Sequence, residues 1–166
     1  MKKRFKMKKR SVAFFLIFVI LSALTGCGIT KPHPEIKEGR FDISVTYEHN
    51  GEMKTLSGVY VCEYDGVVWY NVNGDAFVNW KTHFEGELNA DSIPVCTTDD
   101  GGEIFISLLL YPEYFMGDPD YAEYTPLVRA ELWYPDAQTV DADVIAEHGV
   151  KLIDYQCDAP IENSYQ

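Results

Sequence analysis

Long apolar runs are scarce in this 166-residue sequence, and no acidic residue occurs before Glu35. The longest apolar stretch, residues 12–24, holds 13 residues and is interrupted only by Ser22. A permanent membrane helix needs about 20 apolar residues, so this core is short for one. Cysteine is sparse as well, at four, and no Cys-x-x-Cys or Cys-x-x-His spacing occurs, which argues against a zinc-type site. Gly-x-Ser-x-Gly, His-Glu-x-x-His and a phosphate-binding glycine loop are all missing, so no familiar catalytic signature is present. Internal repeats and low-complexity tracts are missing too. Basic residues are few outside the N-terminus. Seven of the 14 lie in the first ten positions, and from Cys27 onward the other seven face 26 acidic residues, a net of −19. An acidic body of this kind disfavours nucleic-acid binding, which needs a Lys/Arg surface.

The N-terminus has its own pattern. Lys2, Lys3, Arg4, Lys6, Lys8, Lys9 and Arg10 precede the 13-residue core, and Leu24-Thr25-Gly26-Cys27 closes it. A basic region, a short apolar region and small closing residues are the layout of a secretory signal peptide. The positive end is expected to stay in the cytoplasm and the body to be exported. Leu24-Thr25-Gly26-Cys27 resembles the lipobox of bacterial lipoproteins. That resemblance implies a diacylglyceryl group on the Cys27 thiol and cleavage between Gly26 and Cys27. The 140-residue mature chain would then sit on the outer face of the cell membrane. Two acyl chains make a stable anchor where one binds only marginally. An uncleaved anchor is an alternative, because residues 11–30 carry no charge; an ordinary secreted protein is another. The expected organisation is a signal peptide over residues 1–26, a lipidated cysteine with a flexible, proline-containing tether over 27–39, and one domain over 40–166.

The body reads as β throughout. Phe41, Ile43, Val45 and Tyr47 alternate with Asp42, Ser44, Thr46 and Glu48, the period of a half-buried strand. Asn50-Gly51 is a hairpin signal, because both residues tolerate positive φ. A partner strand follows over 53–64, with Gly58 a candidate bulge and Asp65-Gly66 a candidate turn before a strand over 67–70. Residues 71–75 read as a turn. Strands are expected over 77–88, 93–98, 104–110, 127–134 and 150–157. Pro94 marks the 93–98 segment as an edge, and residues 104–110, the most apolar run of the body, read as a central strand. One helix is expected over 141–148, with Asp141 as N-cap and Gly149 as its stop. Seven or eight strands and one short helix suggest a single antiparallel β-sandwich, immunoglobulin-like in the loose sense, with a β-barrel as the alternative.

The body also resembles a set of small uncharacterised lipoproteins of Gram-positive bacteria. The resembling residues are 41–47 with Asn50-Gly51, residues 57–62, residues 114–119, residues 147–151 and residues 160–163. The resemblance implies location and a single domain, and no activity.

Among candidate sites, Cys62, Cys96 and Cys157 are odd in number, so at most one disulfide forms within the body. Cys62 and Cys157 fall in strands and are candidates to face each other across the sandwich; three buried, reduced thiols are the other reading. His33, His49, His83 and His148 are dispersed and read as surface residues. Asp99, Asp100 and Glu103, and Asp118, Asp120 and Glu123, form acidic runs that turn chemistry explains as well as calcium does. Residues 111–124 are the most unusual stretch, with five aromatics, four acids and two prolines. Tyr111, Tyr114, Phe115, Tyr121 and Tyr124 are candidates for a ligand loop, because tyrosine offers large contact at low entropic cost. The other reading is a compact loop packing its own rings over the sheet. No cofactor or metal is expected. The membrane, through Cys27, and a glycan or protein ligand are the expected partners. The overall expectation is a surface binding module, with a carboxylate-dependent hydrolase of cell-wall or glycan substrate as the alternative.

Overall fold

The computed structural model describes residues 33–69 and 76–165; the leader, Gly26, Cys27 and the turn expected at 71–75 lie outside the described residues. The described chain forms eight strands: β1 (Glu38–His49), β2 (Glu52–Trp69), β3 (Ala76–Gly86), β4 (Ser92–Thr97), β5 (Glu103–Leu109), β6 (Leu127–Tyr134), β7 (Ala137–Thr139) and β8 (Val150–Cys157). Two short helices, α1 (Pro112–Phe115) and α2 (Ala142–Glu147), and a 3-10 turn (Pro119–Tyr121) complete it. One sheet has the order β3-β2-β1-β8 and the other β4-β5-β6-β7, with every pairing antiparallel. Neither sheet closes on itself, so the fold is an all-β sandwich and not a barrel.

The alternation in β1 builds the core. Phe41, Ile43, Val45 and Tyr47 are buried, and they meet Ile106, Leu108 and Val128 from the second sheet. A smaller cluster of Ile104, Leu132, Ile145 and Val150 seats α2 against β6 and β8. The sandwich is immunoglobulin-like only in the loose sense. In the first sheet β8 returns beside β1, as the closing strand of a Greek key does, but the second sheet is a plain meander. β4, carrying Pro94, is an edge strand, and β5 lies inside its sheet, both as expected.

Turn residues explain the hairpins and one difference from expectation. Asn50 (φ 53°) and Gly51 (φ 84°) both take left-handed conformations and join β1 to β2 in a two-residue turn. Asp65-Gly66 looks similar in sequence but is no turn. Gly66 is at φ 95°, and the pairing with β3 merely shifts between Tyr64 and Val67, so β2 runs 18 residues through a bulge. Gly58, the expected bulge, is in regular register with Ile43 and Gly86. A side chain there would meet the carbonyl oxygens of Leu88 and Glu85 at 2.7 and 2.9 Å, which is why the position is glycine. β7 and α1 lie in stretches where the sequence suggested neither a strand nor a helix, so there are two helices where one was expected. α2 forms as its sequence suggests: Asp141 accepts from the backbone N–H of Asp143 and Val144, and Gly149 (φ 75°) ends it.

Cys62 and Cys157 do not oppose each other across the sandwich. They lie in the same sheet on β2 and β8, with β1 between them, and Cys62, Cys96 and Cys157 are all free thiols. The stretch read as tether up to Gly39 is held well before that residue. Pro34 bridges to Tyr165, Glu35 N–H donates to Ser164 O at 2.9 Å, and the Ile36 N–H donates to Asn163 Oδ1 at 2.9 Å.

Candidate functional site

The aromatic segment between β5 and β6 divides into an inner and an outer half. Pro112 suits the first helical position of α1, because its missing N–H would be unpaired there anyway. One turn later the helix directs Phe115 and Met116 into the core, where both are fully buried. The Phe115 ring lies 4.8 Å from Phe41, 5.5 Å from Tyr60 and 5.4 Å from Tyr114, centroid to centroid. Gly117 (φ 72°) then reverses the chain; a side chain there would clash with Ile161 O. The C-terminal tail locks this turn, with Ile161 N–H donating to Phe115 O at 3.0 Å and Tyr165 Oη donating to Met116 O at 3.2 Å. Phe115 is therefore a core residue and not a ligand contact, and Tyr114 packs against the same core.

Tyr111, Tyr121 and Tyr124 behave differently. Tyr124 sits 5.1 Å from Tyr111 and 5.1 Å from Tyr121, and it is 47% exposed. Asp118 starts the 3-10 turn that carries Tyr121, accepting from Asp120 N–H at 3.0 Å. The three rings form a short ladder at the surface. Tyr111, at its inner end, also lines a cleft of about 640 Å³. The cleft lies between β3 and the end of β5, with Tyr60, Phe84 and Pro112 as its apolar lining and Thr82, His83, Asn89 and Asp91 as its polar lining. Such a mixture of flat rings and convergent polar groups is the usual makeup of a small-ligand site. His83 Nε2 lies 3.6 Å from Glu85 Oε1, and Glu85 is itself held by Arg40.

Two carboxyls lie near the Tyr121 end of the ladder. Burial pushes Glu113 above its ordinary range, and the nearby Asp118 adds to the shift. Burial raises Asp118 as well, with Asp120 contributing. Neither lines the 640 Å³ cleft. A wider, shallow groove of about 700 Å³ on the outer face of the first sheet includes Asp42, Glu85 and Asp158. Glu85 there is bound to Arg40, and Asp158 accepts from the Asp42 N–H at 2.9 Å. The Arg40 guanidinium holds Glu85 below its ordinary range, against the opposing effect of burial. The carboxylates of Glu85 and Asp158 are thus committed to structural contacts.

The remaining sequence candidates have structural roles. Burial pushes the Cys62 thiol up to about 12, and burial also raises Cys96 and Cys157, so none is poised as a thiolate. Asp100 accepts from Thr98 Oγ1 and from Tyr134 Oη, which closes the β4–β5 turn and holds its carboxyl below the ordinary range. Among the described residues no three His, Cys, Asp or Glu side chains gather closely enough to hold a metal ion. His33 contacts Tyr64 Oη at 3.2 Å and His49 contacts Asn50 at 3.1 Å; of the four histidines only His83 lines the cleft.

Sequence reading missed two features. One is the cleft, whose residues come from four separated segments. The other is Glu131, buried on the outer face of the second sheet, which accepts from Arg129 Nε at 2.7 Å, Trp133 Nε1 at 2.8 Å and Gln138 Nε2 at 2.9 Å. Burial opposes its charge, but these donors outweigh burial and hold it below its ordinary range. The period-two pattern of β6 does place Leu127, Arg129, Glu131 and Trp133 on one face, so the pairing was readable there. No protein-family model, no curated protein and no solved structure matches this chain.

Proposed function

We propose that this chain is a lipid-anchored protein of the outer membrane face that binds a glycan or protein ligand at the tyrosine ladder and its adjoining cleft. The anchor rests on the basic leader, the short apolar core and the lipobox-like Leu24-Thr25-Gly26-Cys27. The binding role rests on one observation: Tyr111, Tyr121 and Tyr124 meet as tilted rings, half-buried at Tyr111 and Tyr121 and exposed at Tyr124, while their neighbour Phe115 fills the core. Rings placed in this way keep flat apolar faces available next to the polar groups of the cleft, an arrangement suited to sugar rings or an extended peptide. The test is an array of glycans and peptides probed with the mature chain, alongside Tyr111→Ala and Tyr124→Ala. Selective binding that both variants abolish supports the reading; binding indifferent to both removes it.

The alternative is a hydrolase of cell-wall or glycan substrate. Glu113 is the observation in its favour, because a carboxyl raised by burial is the form a general acid takes. Turnover of any array ligand that disappears in Glu113→Gln would favour that alternative over simple binding.

A further inference from the structure

β3 is the outermost strand of the first sheet, and among the described residues no strand pairs with its free side. Which of its backbone groups face outward follows from β2. Tyr64 N–H donates to Lys37 O at 2.8 Å, while Ser57 O accepts from Glu87 N–H and Leu88 N–H at 3.1 Å each. Even-numbered residues of β2 before the bulge therefore address β1, and odd-numbered ones address β3. Bonded and non-bonded pairs alternate along an antiparallel ladder. Val59–Glu85, Val61–His83 and Glu63–Lys81 are then the bonded pairs, and the backbone N–H and C=O groups of Thr82 and Phe84 point away from the sheet. Such an edge is a template for another extended chain.

The 640 Å³ cleft runs along this edge. Thr82, His83 and Phe84 all line it, and three consecutive strand residues cannot share one face, so the edge of β3 itself forms this wall. The far wall comes from residues 108–112, with Tyr111 and Pro112 at its end. The Phe84 ring lies 5.1 Å from that of Tyr60, which places Phe84, and with it Thr82, on the core side of β3. Asp91 is the one carboxylate in the lining, which holds no Lys or Arg. Glu113 lies close by: burial raises the Tyr60 hydroxyl, and Glu113 adds to that shift.

We propose that the ligand of this cleft is an extended peptide carrying a basic residue, which adds to β3 as a fifth strand of the first sheet. This rests on the binding role given above to the tyrosine ladder and cleft, and it selects peptide over glycan. The outward donors and acceptors of Thr82 and Phe84 recur every second residue, about 7 Å apart, which is the period of another strand and of no sugar chain's hydroxyls. Main-chain bonds hold the peptide whatever its sequence, and its alternate side chains are read by the pockets beside them. Those on the core side meet Phe84, Tyr60 and Tyr111, and a Lys or Arg meets Asp91. A body with a net charge of −19 draws a basic peptide and repels an acidic one.

The experiment uses the full chain in detergent and, as probe, a phage-displayed library of random linear peptides. The selected peptide is then synthesised with a fluorescent label and with each backbone N–H methylated in turn. The expected result is a period of two: methylation weakens binding about tenfold or more at alternate residues and leaves the residues between them unchanged. Thr82→Pro removes an outward N–H that an edge strand can spare, so it should weaken the unmethylated peptide about tenfold, while Thr82→Ala stays within about threefold. The methylation series needs no change in the protein, so it decides the matter even where Thr82→Pro does not fold. Asp91→Asn should remove the preference for Lys or Arg. Peptide binding without the period of two, but lost in Tyr111→Ala, overturns strand addition and leaves the ladder and cleft standing as the site. Glycan binding lost in Tyr111→Ala, with no peptide selected, does the same. Binding of neither class, or binding indifferent to Tyr111→Ala and Tyr124→Ala, removes the site and this proposal with it. Dimers that dissociate in Thr82→Pro would assign the edge to a second copy of the chain and also overturn the proposal.

Discussion

Replacing Phe115 by alanine should separate the two halves of the aromatic segment by their energetics. Phe115 is fully buried against Phe41, Tyr60 and Tyr114. An aromatic side chain buries about 150–250 Å², and at about 25 cal/mol per Å² its burial is worth roughly 4–6 kcal/mol. The cost measured for buried Phe→Ala changes, about 3–5 kcal/mol, is consistent with that. For a domain of this size such a loss lowers the melting temperature by roughly 10–20 °C. Tyr124, 47% exposed, should cost less than about 1 kcal/mol when truncated, because it forfeits two ring contacts at the surface. Thermal and urea unfolding followed by circular dichroism measure both, and the urea slope should be unchanged. Phe115→Ala within about 1 kcal/mol of wild type, or Tyr124→Ala as damaging as Phe115→Ala, would refute the division of the segment into core and surface.

Three further outcomes follow from other contacts. Glu131 is held below its ordinary carboxyl range, so its stabilisation is present above the unfolded carboxyl range and is lost as pH falls through the lower folded value; the urea midpoint should drop there in wild type and less so in Glu131→Gln. Glu113 is raised by burial, so its charged form is disfavoured in the fold; Glu113→Gln should raise the melting temperature at pH 7 by under about 1 kcal/mol equivalent and leave stability at pH 3 unchanged. Gly117→Ala combines a left-handed φ with a clash against Ile161 O, so it should lower the urea midpoint by the equivalent of about 1–3 kcal/mol and free the C-terminal tail to proteolysis.

The strands were legible because their information is local. Period-two alternation in β1, Asn50-Gly51 and the apolar run in β5 each declare themselves within a few residues. Asp65-Gly66 shows where local information ends. It has the composition of a turn, yet a turn of the Asn50-Gly51 kind needs left-handed backbone at both residues, and at this pair only Gly66 adopts it. What decides the matter is β3, which keeps pairing with β2 on both sides of the bulge. Gly58 is similar: its reason is the approach of Leu88 and Glu85, distant in sequence. The aromatic segment was visible as a compositional oddity, but which rings turn inward depends on α1 and on the C-terminal tail that locks Gly117. The cleft was invisible because Tyr60, His83, Asp91 and Tyr111 belong to different elements, and none has a motif of its own.

The lacing of residues 34–36 to residues 163–165 has a mechanical consequence. A pull on the chain ahead of His33 does not load β1 first. It reaches Glu35 and Ile36, which share the load with Asn163 and Ser164 through four hydrogen bonds acting side by side. Tyr165 and Ile161 pass it on to Met116 and Phe115, in the centre of the core. The last residues of the chain thus act as a strain relief, spreading a tug at one end of the polypeptide into the hydrophobic interior before any strand can be peeled from its sheet.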